Sequence, residues 1–362
     1  MRIGFDRQTF TIQKYGGISR YFTDLYLGLC QEPNIEAQLL FGRHQNAYLH
    51  EHGIGEELSS IATRLYIKAM AKSNLGIALG GNVDIHHSTY YLGIPKKISA
   101  KTKHVSTLYD MIPELHPRYF KGNPHANKLK WFNSSDLIIS ISDSAADDLA
   151  YFQPELASRI CRIHLYSGFT DASPQSKPSS IKKESRNYIL FIGQRGAYKN
   201  GSMLLRAFAA SKPKSHSYKL FFAGGGALSR AEREEIERLE ITDFVEQVNV
   251  SDAELWYLYR HSAAVLVPSM AEGFSLPLVE GLAADVPVIC SNIPVHREVA
   301  GDFAEQVNAL QHQDWTDILS SIHSLQRPSE KLGLNLYQKK CKYFRKERMV
   351  EEHIAAYGEL LS

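Results

Sequence analysis

Two glutamates in the stretch SMAEGFSLPLVEG (Ser269–Gly281), Glu272 and Glu280, are separated by seven residues, a glycine and a proline among them. On one continuous helix they would share a face and be ordinary surface charge. Gly273 and Pro277 oppose that helix, because an interior proline deletes a hydrogen bond and clashes, at about 3 kcal/mol. Proline fits a first turn better. The spacing therefore predicts a helix that begins near Pro277, with Glu272 in the loop before it and Glu280 just inside it. Both carboxylates can then point into one pocket, beside the N–H groups and positive potential of a helix N-terminus. Carboxylates so placed can accept bonds from paired hydroxyls.

Other residues could serve the same chemistry. Arg195 and Lys199 follow the apolar run YILFI (Tyr188–Ile192) and precede a helical segment, a position from which they could meet an anion. In isolation such a pair is solvated surface. Gly16 and Gly17 in the first half, and Gly224 to Gly226 in the second, permit close backbone approach to a phosphate, or simply let the chain turn. Asp110, after the run HVSTLY, is either a cleft residue or the cap of the next turn. His86 and His87 end a predicted strand, where histidine is more often structural. The sequence has no D-x-D pair, so no metal is expected.

Short apolar runs position these residues. Strands are expected at Met1–Asp6, Ala37–Phe41, Val83–His87, His104–Tyr109 and Leu137–Ser142, with a helix over Ile18–Cys30. Asp171–Glu184 (DASPQSKPSSIKKE) is rich in Pro, Ser and Lys and is expected to be a linker. Alternation then restarts, with strands at Tyr188–Ile192, Lys219–Ala223, Phe244–Val248, Ala264–Val267 and Val286–Cys290. Helices are expected at Gly201–Ser211 and Ser229–Leu239, from Pro294, and through Glu330–Leu361. This pattern predicts an α/β protein of two doubly wound, Rossmann-like domains, residues 1–172 and 185–345, joined by a linker at 173–184. The last helix, 346–362, is expected to pack back on the first domain. Ligands of such sheets bind at the carboxyl ends of the strands.

The run AAVLVPSMAEGFSLPLVEGLAADVPVICSNIPVHREVAGDFA (263–304) resembles the donor-binding signature of retaining glycosyltransferases of family GT4, which have the GT-B fold. FIGQRGAYKNGSMLLRAF (191–208), LFFAGGG (220–226), DAELWYLYRHSAAVLVPS (252–269), QKYGGISRYF (13–22) and LYDMIPELHP (108–117) extend the likeness to essentially the whole chain. The resemblance implies that Glu280 binds the donor ribose, that Glu272 binds the transferred sugar, and that Arg195 and Lys199 clamp the diphosphate. By the same resemblance Gly273, Phe274, Ser275, Leu276, Gly16, Gly17, Gly224, Val250 and Tyr109 line the donor site, with Asp110 toward the acceptor. Many members have His-Asp where this chain has Tyr109-Asp110, and Ser275 replaces a common glycine.

Composition narrows the classes. Hydrophobic residues make up 44% and charged residues 22% of the 362, and the net charge of +2 calls for no nucleic-acid partner. Cys30, Cys161, Cys290 and Cys341 lie far apart without a CxxC pair, which reads as buried thiols in a reducing compartment. No apolar run is long enough to span a membrane, so the protein is expected in the cytoplasm. IATRLYIKAMAK (61–72) mixes apolar and basic residues at helical spacing, as an interfacial helix at the inner membrane does. The expectation is a metal-independent retaining hexosyltransferase, without cofactor, that moves a sugar from a nucleotide sugar (GDP-mannose favoured) to a lipid-linked saccharide. UDP- or dTDP-sugar donors, a GT-B epimerase or phosphorylase, and a non-catalytic scaffold are the alternatives.

Overall fold

The computed structural model describes residues 1–72, 76–79, 82–97, 101–179, 188–211 and 218–362. They divide into two compact units, Met1–Leu165 with Lys346–Ser362, and Tyr166–Arg345.

The first unit is built on six parallel strands: β1 (Arg2–Phe5), β2 (Glu36–Leu39), β3 (Ile85–Ser88), β4 (Lys103–Leu108), β5 (Leu137–Ser140) and β6 (Ile160–Arg162), in the order β6-β5-β4-β3-β1-β2. Ile3, Phe5, Ile85, Val105, Leu108, Ile138 and Ile139 are buried, as expected of strands covered on both faces. The helix Lys346–Leu361 packs on the helix Gly17–Leu29. Gly28 makes room for it, since a Cβ there would lie 2.6 Å from a methyl of Val350. A buried polar network fastens the same contact. Tyr21 Oη and His353 Nε2 are 2.6 Å apart, as are His87 Nδ1 and Tyr357 Oη, and His87 Nε2 is 2.8 Å from Thr107 Oγ1. Burial lowers the pKa of His353 to about 4 and that of His87 well below its ordinary value, so both rings are neutral. His87 is therefore a core residue, and His86 lies beside Asp6 in the same interior.

In the second unit the strands are β7 (Tyr188–Ile192), β8 (Lys219–Ala223), β9 (Val245–Val248), β10 (Ala264–Val267), β11 (Val288–Ser291) and β12 (Glu305–Val307). Their order is β9-β8-β7-β10-β11-β12, all parallel. The order reverses between β7 and β10, and that switch point is where open α/β sheets bind ligands.

Three expectations need correction. The boundary near 172 moves to Leu165/Tyr166, because Ser167 N–H donates to the Phe344 carbonyl and Phe169 stacks on Trp256 with ring centroids 5.1 Å apart. Part of the expected linker also belongs to this unit, with Ser176 N–H donating to the Ala253 carbonyl; residues 180–184 lie outside the described residues. The helical tail is three helices, Pro328–Leu332, Leu334–Tyr343 and Lys346–Leu361, broken at Gly333 (φ 85°) and Phe344. Of the four cysteines only Cys290 is buried; Cys30 is exposed and the other two are half-buried.

Candidate active site

The helix after β10 spans Leu276–Ala283 with Pro277 in its first turn, so Glu272 lies in the loop and Glu280 in the helix. Ser275 is the N-cap residue at φ 81°, in the left-handed region where a side chain costs about 1–2 kcal/mol. Its Oγ is buried without a partner among the described residues. Phe274, also buried, packs edge-on against Phe344.

Lys199 Nζ stands 2.6 Å from Glu272 Oε1. Lys199 ends a one-turn helix after β7, and Glu272 follows β10, so the pair bridges the two strands at the switch point. Burial by itself would raise the Glu272 pKa. The charge and hydrogen bond of Lys199, a hydrogen bond from Ser269 and the nearby His296 outweigh it and hold the carboxyl below its ordinary value. Glu272 is thus ionised and held in place by an ammonium group. Eight residues on, Glu280 is buried and accepts a hydrogen bond from Tyr259 Oη at 2.6 Å. The two glutamates leave one loop–helix junction with different partners, one cationic and one phenolic.

Arg195 is placed differently from the clamp expected of it. Its Nε is 2.6 Å from Glu232 Oε1, Nη1 donates to the Gly224 carbonyl, and Nη2 donates to those of Gly226 and Ala227, each at 3.1 Å. The guanidinium is buried and committed to these protein groups, so it fastens the turn after β8 to the loop after β7. Gly224, Gly225 and Gly226 have φ of 71°, 69° and 76°. A Cβ on Gly225 would sit 2.2 Å from the Gly193 carbonyl oxygen and 2.9 Å from Arg195 Nη1. The triple glycine is therefore a tight turn packed under the arginine. Val250 is half-buried in the loop before the helix Asp252–His261, which Ser251 caps.

The first-unit candidates are mostly engaged in local structure. Tyr109 is buried and its hydroxyl donates to the Thr89 carbonyl at 2.8 Å. Asp110 Oδ1 accepts the Ile112 N–H at 2.9 Å, the capping alternative for this residue. Gly16 has an extended backbone; a Cβ there would meet Gln13 Oε1 at 2.4 Å, and that oxygen accepts the Ser19 N–H at the start of the helix containing Gly17. Residues not singled out from sequence complete the second-unit site: Ser269, Tyr259, Glu232 and His296. Ser269 belongs to the quoted Pro-Ser pair and was legible in principle. The others act across elements, and no local pattern announces them.

Solved proteins with this architecture define the class. Anabaena Alr3699/HepE, crystallised with UDP and glucose, matches with a TM-score of 0.70 at 16% identity, over 99% of this chain and 100% of its own. The lipopolysaccharide outer core galactosyltransferase WaaB gives 0.62 at 14%, over 99% of both chains. At such identities the likeness is one of fold, and that fold is GT-B. Sequence adds likenesses of its own. Residues 173–340 match the model of glycosyl transferases group 1. O-antigen chain mannosyltransferase RfbU of Salmonella typhimurium is 34% identical over 147 residues, covering 40% of each chain. O-antigen chain mannosyltransferase B of Escherichia coli is 26% identical over 261 residues, 65% of this chain and 67% of its own. The match to the Salmonella relative thus spans two fifths of that protein's length. Residues 173–340 are thus similar to glycosyl transferases of group 1, and the chain as a whole is similar to GT4-like glycosyltransferases.

Proposed function

We propose that this glycosyltransferase moves a hexose, with retention and without a metal, from a nucleotide-diphosphate sugar to a lipid-linked saccharide in O-antigen, capsule or exopolysaccharide synthesis. GDP-mannose is the favoured donor, because the relatives named above are described as O-antigen mannosyltransferases; UDP- and dTDP-sugars are the alternatives. The observation that carries the reading is the Lys199–Glu272 pair at 2.6 Å, with the Glu280 carboxylate on the adjoining helix.

In this reaction the bond from the anomeric carbon to the diphosphate oxygen breaks, positive charge gathers on the sugar and negative charge on the leaving group. Glu272, kept ionised, faces the sugar. Lys199 meets the diphosphate, where charge developing in a water-poor site is worth most. Glu280 accepts from the ribose hydroxyls. In a same-face course the acceptor oxygen bonds to the anomeric carbon as its proton passes to the departing phosphate; a covalent sugar–carboxylate is the other route to retention. Arg195 acts at one remove, by shaping the glycine turn. Acceptor delivery at the inner membrane face is supported by the helix Ser60–Lys72, where Ile61 and Leu65 are 71% and 63% exposed beside Arg64 and Lys68.

Thermal shift with GDP, UDP, dTDP and their sugars, without added metal, tests the donor site. One nucleotide class is expected to stabilise the protein. At 100-fold excess over Kd the gain is about 2.7 kcal/mol, or about 5–10 °C for a unit of this size. No response to any of them would sink the assignment.

A further inference from the structure

The turn after β11 leads into the helix Pro294–Ala300, which carries His296. The ring is fully buried, and its Nδ1 lies 2.8 Å from the Ser291 carbonyl oxygen. A carbonyl can only accept, so Nδ1 carries the proton. Burial, joined by the charge of Lys199, favours the neutral ring against the opposing pull of Glu272 and of the Ser291 carbonyl. A neutral ring protonated at Nδ1 has its lone pair on Nε2, and that atom is buried with no partner among the described residues. Ser275 Oγ and Ser291 Oγ share that condition.

The segments that carry them end or follow neighbouring strands. β10 and β11 are neighbours, with Val267 opposite Cys290, so the loop bearing Glu272 and the turn bearing His296 leave adjacent strands at the same sheet edge. The two side chains are close enough to influence each other's ionisation. Two acceptors, one ionised and one neutral, therefore stand together and call for donors. A phosphate at neutral pH has few protons to give, and a metal cation would meet Lys199, 2.6 Å from the same carboxylate. The hydroxyls of a sugar ring, each a neutral donor, fit the set.

We propose that His296 is a specificity-determining residue for the transferred sugar. Its Nε2 accepts a hydrogen bond from one ring hydroxyl, while Glu272 accepts from a neighbouring one. This rests on the donor-site reading above and adds to it a residue that reads the sugar and ignores the nucleotide.

The test compares calorimetric affinities of wild type, His296→Phe and His296→Gln for a nucleoside diphosphate and for its nucleotide sugar, with melting curves as a control on folding. The base used is whichever one stabilises the wild type. His296→Phe is expected to weaken the nucleotide sugar about tenfold and to leave the nucleoside diphosphate within about twofold. His296→Gln keeps a polar acceptor near the Nε2 position and should recover most of the loss. Equal weakening of both ligands, no weakening of the sugar, or no rescue by glutamine overturns the role of His296. A wild type that binds neither ligand overturns the donor-site reading itself, so the two failures are distinct.

Discussion

Replacing Lys199 with methionine removes the ammonium group that faces Glu272 and keeps most of the side chain's volume. At 2.6 Å the attraction of the pair is about 6 kcal/mol at an effective dielectric of about 20. Desolvation of the carboxylate offsets most of it, and Lys199 keeps 26% of its side-chain surface exposed, so solvent screens part of the rest. A net loss of about 1–2 kcal/mol is expected near neutral pH, seen as a melting temperature lower by about 2–8 °C. The pH dependence is the sharper reading. Wild-type Glu272 titrates below its ordinary value of 4.5, so its contribution is complete above that value and fades as pH falls through the folded-state pKa. Without Lys199 the effect of burial is less offset, so the folded-state pKa rises and the stabilisation that the wild type gains above 4.5 is reduced. The gap between the two proteins should be widest near neutrality and shrink toward pH 4, and adding Glu272→Gln to the variant should recover part of the loss. Melting curves from about pH 4 to about pH 8 decide the matter. A gap that stays constant with pH, or strictly additive single substitutions, would refute the reasoning.

Two further outcomes follow from local geometry. Gly224→Ala meets only the Gly193 nitrogen at 3.9 Å and should cost the about 1–2 kcal/mol of a left-handed side chain; Gly225→Ala also drives its Cβ into a backbone oxygen at 2.2 Å and should cost more than about 3 kcal/mol. Equal urea midpoints for the two variants would mean that the turn is not packed under Arg195 as described. Tyr259→Phe removes the 2.6 Å hydrogen bond to a buried carboxylate and is expected to cost about 1.5–3 kcal/mol near neutral pH, with nucleotide affinity reduced as Glu280 loosens; an unchanged melting temperature and affinity would discount that bond.

The strands of the second unit were legible because parallel strands buried on both faces read as continuous apolar runs: β7, β8 and β10 span the residues expected of them. The break between Glu272 and Glu280 was legible for an equally local reason, since Pro277 and Gly273 constrain the backbone wherever they occur. Local grammar did not extend to the choice of partners. Arg195 and Lys199 read as one basic pair, yet the fold turns the first to Glu232 and the second to Glu272, depending on which strand each loop faces across the sheet. Tyr109 read as a donor-site residue by resemblance, yet it is buried with its hydroxyl bonded to the Thr89 carbonyl, whereas His87 is the structural residue its strand-end position suggested. The sequence by itself determined the sheet architecture and the loop–helix setting of the two glutamates, because backbone restriction and apolar periodicity are short-range. Only the tertiary structure decided which charge meets Glu272, which phenol meets Glu280 and what surrounds His296, because those depend on residues that strand order brings together from distant parts of the chain.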